Sequence, residues 1–176
     1  MRRKKEKPKN AEKVKGSLTM SKNALFLAVV IVAIASACGS NAVYDASIDI
    51  PQKGWSADSV ATFNVTISDT TLVHNIYINL RNTTNYPNSN LFLFIQTHSP
   101  SGAVLRDTLE CFLANGKGKW LGKGFGALRD NQIPYKRYVR FPEQGEFTFS
   151  IQQGMRTHSL KGIASVGIRI EKAKTK

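Results

Sequence analysis

Beyond residue 60 the chain alternates apolar and polar residues with a period of two. Phe63, Val65 and Ile67 alternate with Thr62, Asn64 and Thr66. Ile76, Ile78 and Leu80 alternate with Asn75, Tyr77, Asn79 and Arg81. Phe147, Phe149 and Ile151 alternate with Glu146, Thr148, Ser150 and Gln152, and Val166, Ile168 and Ile170 with Gly167, Arg169 and Glu171. Successive side chains of a strand point to opposite faces, so each segment predicts a half-buried strand with one wet face. Leu91-Phe92-Leu93-Phe94-Ile95 is apolar throughout and predicts a central strand covered on both faces. Further strands are expected over 104–113, 119–128 and 135–141. Asn85-Tyr86-Pro87-Asn88, Ser99-Pro100-Ser101-Gly102, Asn115-Gly116 and Pro142-Glu143-Gln144-Gly145 supply the turns between them. Nothing after residue 40 keeps a 3.6-residue period for three turns. The expected fold is all-β, an antiparallel β-sandwich of about seven to eight strands over residues 59–171.

The front of the chain reads differently. Residues 1–22 hold nine basic residues against two acidic ones, more than half of the net charge of +13. An uncharged apolar run, Ala24 to Ala35, follows, shorter than the roughly 20 residues a membrane span needs. A basic stretch, an apolar stretch and a small-residue exit describe a secretory signal peptide over residues 1–37. With the basic excess in a leader, a nucleic-acid partner is not expected. The exit, Ala35-Ser36-Ala37-Cys38-Gly39, resembles a bacterial lipobox. In that chemistry the Cys38 thiol takes a diacylglyceryl group, the chain is cut before Cys38, and the new amine is acylated. Each buried methylene of such a chain contributes about 0.8 kcal/mol to anchoring. Ala35-Ser36-Ala37 equally fits the A-x-A cut of ordinary secretion, which would leave Cys38 a thiol able to pair with Cys111. An uncleaved N-terminal anchor is the third reading. Residues 38–58, with Gly39, Ser40, Pro51 and Gly54 and few large apolar residues, are expected to be the lipidated cysteine and a tether. Residues 172–176 form a basic tail.

Catalytic signals are weak. Two cysteines and three histidines, with no paired metal-ligand spacing, argue against a metal site or a disulfide scaffold. In the glycine-rich stretch 116–124 a phosphate loop ending at Gly122-Lys123 would need glycine where Lys117 stands and a hydroxyl residue where Gly124 stands. A glycine-kinked strand or hairpin is expected there. Asp107 and Glu110 are three apart, which puts them on opposite faces of a strand and prevents a cooperating carboxylate pair. No cofactor and no small-molecule substrate are expected. Trp55, Trp120, Tyr86 and Tyr135 could line a sugar-binding surface or belong to the core. Asp58-Ser59-Val60 and Asp107-Thr108-Leu109 resemble an O-glycosylation acceptor of Bacteroidetes periplasmic proteins, making Ser59 and Thr108 candidate acceptors.

A set of blocks in order carries a family resemblance. They are Ile78-Asn79-Leu80-Arg81-Asn82-Thr83 with Tyr86 and Ser89-Asn90-Leu91-Phe92-Leu93; Asp107-Thr108-Leu109-Glu110; Gly118-Lys119-Trp120-Leu121-Gly122-Lys123-Gly124; Tyr135 with Phe141-Pro142 and Gly145; Ile151-Gln152 with Met155-Arg156; and Val166-Gly167-Ile168-Arg169-Ile170. Together they span about residues 43–171 and resemble the gliding motility lipoprotein GldH family of the Bacteroidetes. The resemblance implies a non-enzymatic outer-membrane lipoprotein, an accessory or structural part of the gliding machinery and the linked type IX secretion system. Its partners would be the membrane, through the Cys38 anchor, and other envelope lipoproteins of that machinery. The family has no catalytic residues to carry over. After Cys38 no acidic cluster of a surface-export signal appears, so the periplasmic face is expected. Arg81, Tyr86, Trp120, Met155 and Arg156 are the candidate interaction residues, since Arg, Trp and Tyr are enriched at interface hot spots. An envelope lipoprotein that binds glycans is the alternative.

Overall fold

The computed structural model describes residues 41–174; the leader, Cys38 and the last two residues lie outside the described residues. Ten strands follow in chain order: β1 Ala42–Asp49, β2 Trp55–Ser56, β3 Ala61–Ile67, β4 His74–Thr83, β5 Asn90–His98, β6 Val104–Phe112, β7 Leu128–Val139, β8 Gly145–Gln153, β9 Ser159–Leu160 and β10 Ile163–Lys172. No helix occurs among the described residues. One sheet runs β1-β10-β4-β7 and the other β3-β8-β5-β6, with β2 and β9 forming a small ribbon. All pairings are antiparallel. The inner faces of the two sheets close on one hydrophobic core.

The period-two segments make that core. Phe63 lies opposite Phe149 between β3 and β8, and Ile78 opposite Ile168 between β4 and β10. Their alternate neighbours stay at the surface, so each residue of a pair loses its apolar area to water only on the inner face. Trp55 caps the core from the β2–β9 ribbon, 1% exposed, its indole N–H donating to the Ser59 carbonyl at 3.0 Å.

Three expectations change. Residues 42–49, expected within a tether, form β1 and pair with β10. β1 is an edge strand whose inward positions, Ala42, Tyr44, Ala46 and Ile48, stay partly exposed, and two of them are alanines, so no run of large buried residues marks a core face. Its seat depends on Gly167, where a Cβ would stand 2.5 Å from the Ala46 carbonyl oxygen. Second, β5 is central in its sheet but covered on one face only. Phe94 points outward and is 48% exposed, while Leu91, Leu93 and Ile95 are buried. The turn at Gly154-Met155 shields part of the outer face, with the Phe92 N–H directed to Met155 Sδ at 3.5 Å. Third, 119–128 is not a strand. It is a loop held by single bridges, Ala114 to Trp120 and Lys123 to Asp130, and β7 starts only at Leu128. At Gly124 (φ +148) a Cβ would lie 2.4 Å from the Leu128 carbonyl oxygen, so the chain folds back there instead of extending.

Cys111 faces inward on β6, fully buried, and burial pushes its thiol up to about 12. The reactive form is the thiolate, so Cys111 should not react with a thiol reagent at pH 8 in the folded protein and should react fully in denaturant. Stoichiometric native labelling would show that this position opens.

Candidate functional site

The strand directions divide the sandwich into two ends. Connections 50–60, 84–89, 113–127 and 154–162 share one end. Connections 68–73, 99–103 and 140–144 share the other, together with Asn41, where the described chain enters the domain, and Lys172–Lys174, where it leaves. The entry end is called proximal here and the opposite end distal.

Arg81 sits near the distal end of β4, on the outer face of its sheet. Its Nε donates to Asp130 Oδ1 at 2.6 Å across the β4–β7 pairing, and this carboxylate holds the guanidinium above its ordinary pKa. Both side chains are about half exposed, so the pair contributes at most about 1 kcal/mol to stability. It orients the guanidinium more than it holds the fold. Beside it lies a groove of about 890 Å³, whose walls include Asp45, Arg81, Phe112, Leu121, Lys123 and Asp130. One side is the outer sheet face, where Arg169 bonds Glu171 (2.6 Å) and Asp45. The other side is the 113–127 loop.

A buried polar joint fixes that loop. Asn131 Nδ2 donates to Asn82 Oδ1 at 2.9 Å, and Asn82 Nδ2 donates to the Thr83 carbonyl at 3.0 Å. Gly122 rests on the Asn131 side chain, where a Cβ would stand 2.8 Å from Oδ1. The loop therefore stands against β7 with Leu121 and Phe125 turned outward. Phe112 (61% exposed), Leu121 (55%), Phe125 (98%) and Leu128 (41%) give the distal end more exposed apolar side chains than the surface elsewhere carries in one place. Phe112 was legible as a phenylalanine on the wet face of an alternating strand. Leu121 and Phe125 carried no such signal, because the loop has no period.

The five candidate interaction residues all lie at or near the distal end, but they do different work. Arg81 and Arg156 are exposed. Tyr86 is 3% exposed, and its hydroxyl donates to the Asn90 carbonyl at 2.9 Å. It is a packing residue, not a contact residue: the turn that holds it folds inward, with Gly162 so near that a Cβ there would lie 2.7 Å from Tyr86 Cα. Trp120 and Met155 are half-buried against the core. Ser59 and Thr108 are exposed. Of the aromatic residues suited to a sugar platform, Trp55 and Tyr86 are buried, and the Tyr135 hydroxyl is held by Asp107 at 2.5 Å. Asp107 and Glu110 do face opposite ways: Asp107 takes Tyr135 and Lys136, and Glu110 takes Asn90 at 2.7 Å. Among the described residues no three His, Cys, Asp or Glu side chains stand close enough to hold a metal ion.

Comparison with known proteins agrees with the ordered blocks. The family described as GldH lipoprotein matches residues 42–170. A gliding motility lipoprotein GldH homolog of Christiangramia forsetii is 38% identical over 156 residues, covering 85% of this chain and 95% of that protein. The gliding motility lipoprotein GldH of Flavobacterium johnsoniae is 36% identical over 141 residues, covering 76% and 87%. The matched span is the sandwich itself, from the first residue of β1 to near the end of β10, and the chain belongs to the GldH lipoprotein family.

Proposed function

We propose that the protein is a non-enzymatic outer-membrane lipoprotein, held by acyl chains on Cys38 at the periplasmic face. It serves the gliding machinery and the linked type IX secretion system by docking other envelope proteins. The observation that carries this reading is the division of labour between the ends. The chain enters the sandwich at the proximal end, and the distal end carries Arg81 with its groove and the exposed Phe112, Leu121 and Phe125. On this reading the end away from the anchor is the one free to meet protein partners. A central apolar set flanked by an oriented arginine has the composition of an interface hot spot.

The test is complementation in a gliding host lacking the gene. Leu121→Asp, Phe125→Ala and Arg81→Ala should fold and reach the membrane normally. At least one should fail to restore spreading and lose its crosslinked partners, as expected when a hot spot worth about 2 kcal/mol or more is removed. Tyr86→Ala should instead lower stability. If all three surface variants restore spreading fully, the distal end is not the contact surface.

A further inference from the structure

The proximal end contains a second opening that docking at the distal end does not use. On β6 the inward positions are Leu105, Asp107, Leu109 and Cys111. Cys111 is fully buried, yet Leu105 is 51% exposed and its neighbour Val104 41%. An inward-facing leucine is half wet only where the sandwich is not closed over it. The gap lies between the edge strands β6 and β7 and encloses about 660 Å³, within the roughly 300–1,000 Å³ of small-molecule sites. Its floor is core: Ile76, Val139, Phe141, Phe147 and Phe149. β7 leaves this edge open because it bulges, with register shifts opposite His74–Tyr77 and Tyr138 in the left-handed region at φ 53.

The polar groups gather at the rim. The Tyr135 hydroxyl and Lys136 Nζ, the latter at 2.9 Å, both engage Asp107. Glu143 accepts from the Ser101 hydroxyl at 2.7 Å and ties the two turns together across the opening. Arg140 is exposed and makes no ion pair among the described residues. Arg106, Arg137, Lys172 and Lys174 are also exposed at this end, against the acidic Asp69, Glu143, Glu146 and Glu171.

We propose that this cleft takes one acyl chain of a bilayer phospholipid, with the headgroup phosphate on Arg140. The proposal rests on the lipid-anchor reading for its source of ligand. Cys38 precedes Ala42 by four residues, a reach of at most about 14 Å, which ties the anchor to the corner of the proximal end where β1 begins; β7 and the cleft stand at the other edge of that sheet, three strands across. A leaflet that meets the proximal end face-on would also reach the mouth. The site fits the chemistry from both sides. An apolar floor suits a methylene chain, and the planar fork of an unpaired arginine suits a phosphate. Arg140 at the mouth, with the other exposed basic residues of this end, favours an anionic surface. Occupation would hold the domain at a fixed tilt on the leaflet and so aim the distal end.

The test uses the full-length lipidated protein in vesicles of phosphatidylglycerol and phosphatidylethanolamine, doped with a phospholipid bearing a diazirine at one acyl terminus. Crosslinks should concentrate on residues 104–109 and 133–149. Leu105→Trp, which fills the mouth from an exposed position, should reduce them about tenfold, and Arg140→Glu should reduce them severalfold. With soluble lysophospholipids, affinity should rise by up to about fourfold per added methylene until the cleft is full. Crosslinks spread evenly over the proximal surface, or unchanged in Leu105→Trp, would overturn the assignment. A cleft filled by the protein's own anchor would stay unlabelled and would overturn it too. Flotation with the vesicles reads the anchor separately. A protein that fails to float has no lipid anchor, and the soluble lysophospholipid still decides the cleft, by labelling it or not.

Discussion

Phe149→Asp is expected to unfold the domain. Phe149 is 1% exposed, stands opposite Phe63 on β3 and Thr97 on β5, and lies where both sheets share the core. Truncating a buried phenylalanine costs about 3–5 kcal/mol. An unpaired carboxylate in its place adds several more or must bind a proton. A domain of this size has about 5–15 kcal/mol in all. The variant should lose its strand-type circular dichroism and its cooperative thermal transition. Phe94→Asp is the matched control, one strand away on the open face and 48% exposed. It should melt within a few degrees of the parent. If Phe149→Asp melts like Phe94→Asp, the assignment of inner and outer faces fails.

Cys38→Ala should release the protein from the membrane fraction or leave it unprocessed, an effect close to all-or-none. On the lipid-anchor reading Cys38 has no substitute nucleophile, and a chain without acyl groups has no comparable hold on a bilayer. The intact mass of the parent should correspond to a chain starting at Cys38 plus acyl groups. Any further mass belongs on exposed hydroxyls such as Ser59 or Thr108. A mature N-terminus at Cys38 without acyl chains would favour plain secretion. The protein would then need another route to the envelope, and the distal-end reading would lose its geometric basis while the fold stayed as it is.

The family was legible in the ordered blocks, because they are local patterns that alignment reads residue by residue. The interior strands were legible for a physical reason. β3, β4, β8 and β10 each bury one face against the opposite sheet, so their core positions must recur every second residue. Where that demand relaxes, the pattern stops informing. β1 sits at a sheet edge with half-exposed inward residues, and it is a strand because β10 offers an unpaired edge that Gly167 lets it approach. Leu91–Ile95 is apolar on both faces, but only the inner one is covered by a sheet, and outside only the Gly154-Met155 turn shields part of it. The 119–128 loop has strand-like residues and glycines that turn it back on Leu128. Tyr86 reads as a turn residue and is drawn inward by a close backbone approach nearly eighty residues later in the chain. Both openings belong to this second class. Periodicity says that Leu105 faces in and Arg81 faces out. Only the separation of the β6 and β7 edges decides that Leu105 stays wet, and only the meeting of β7 with the 113–127 loop decides that Arg81 stands beside a groove.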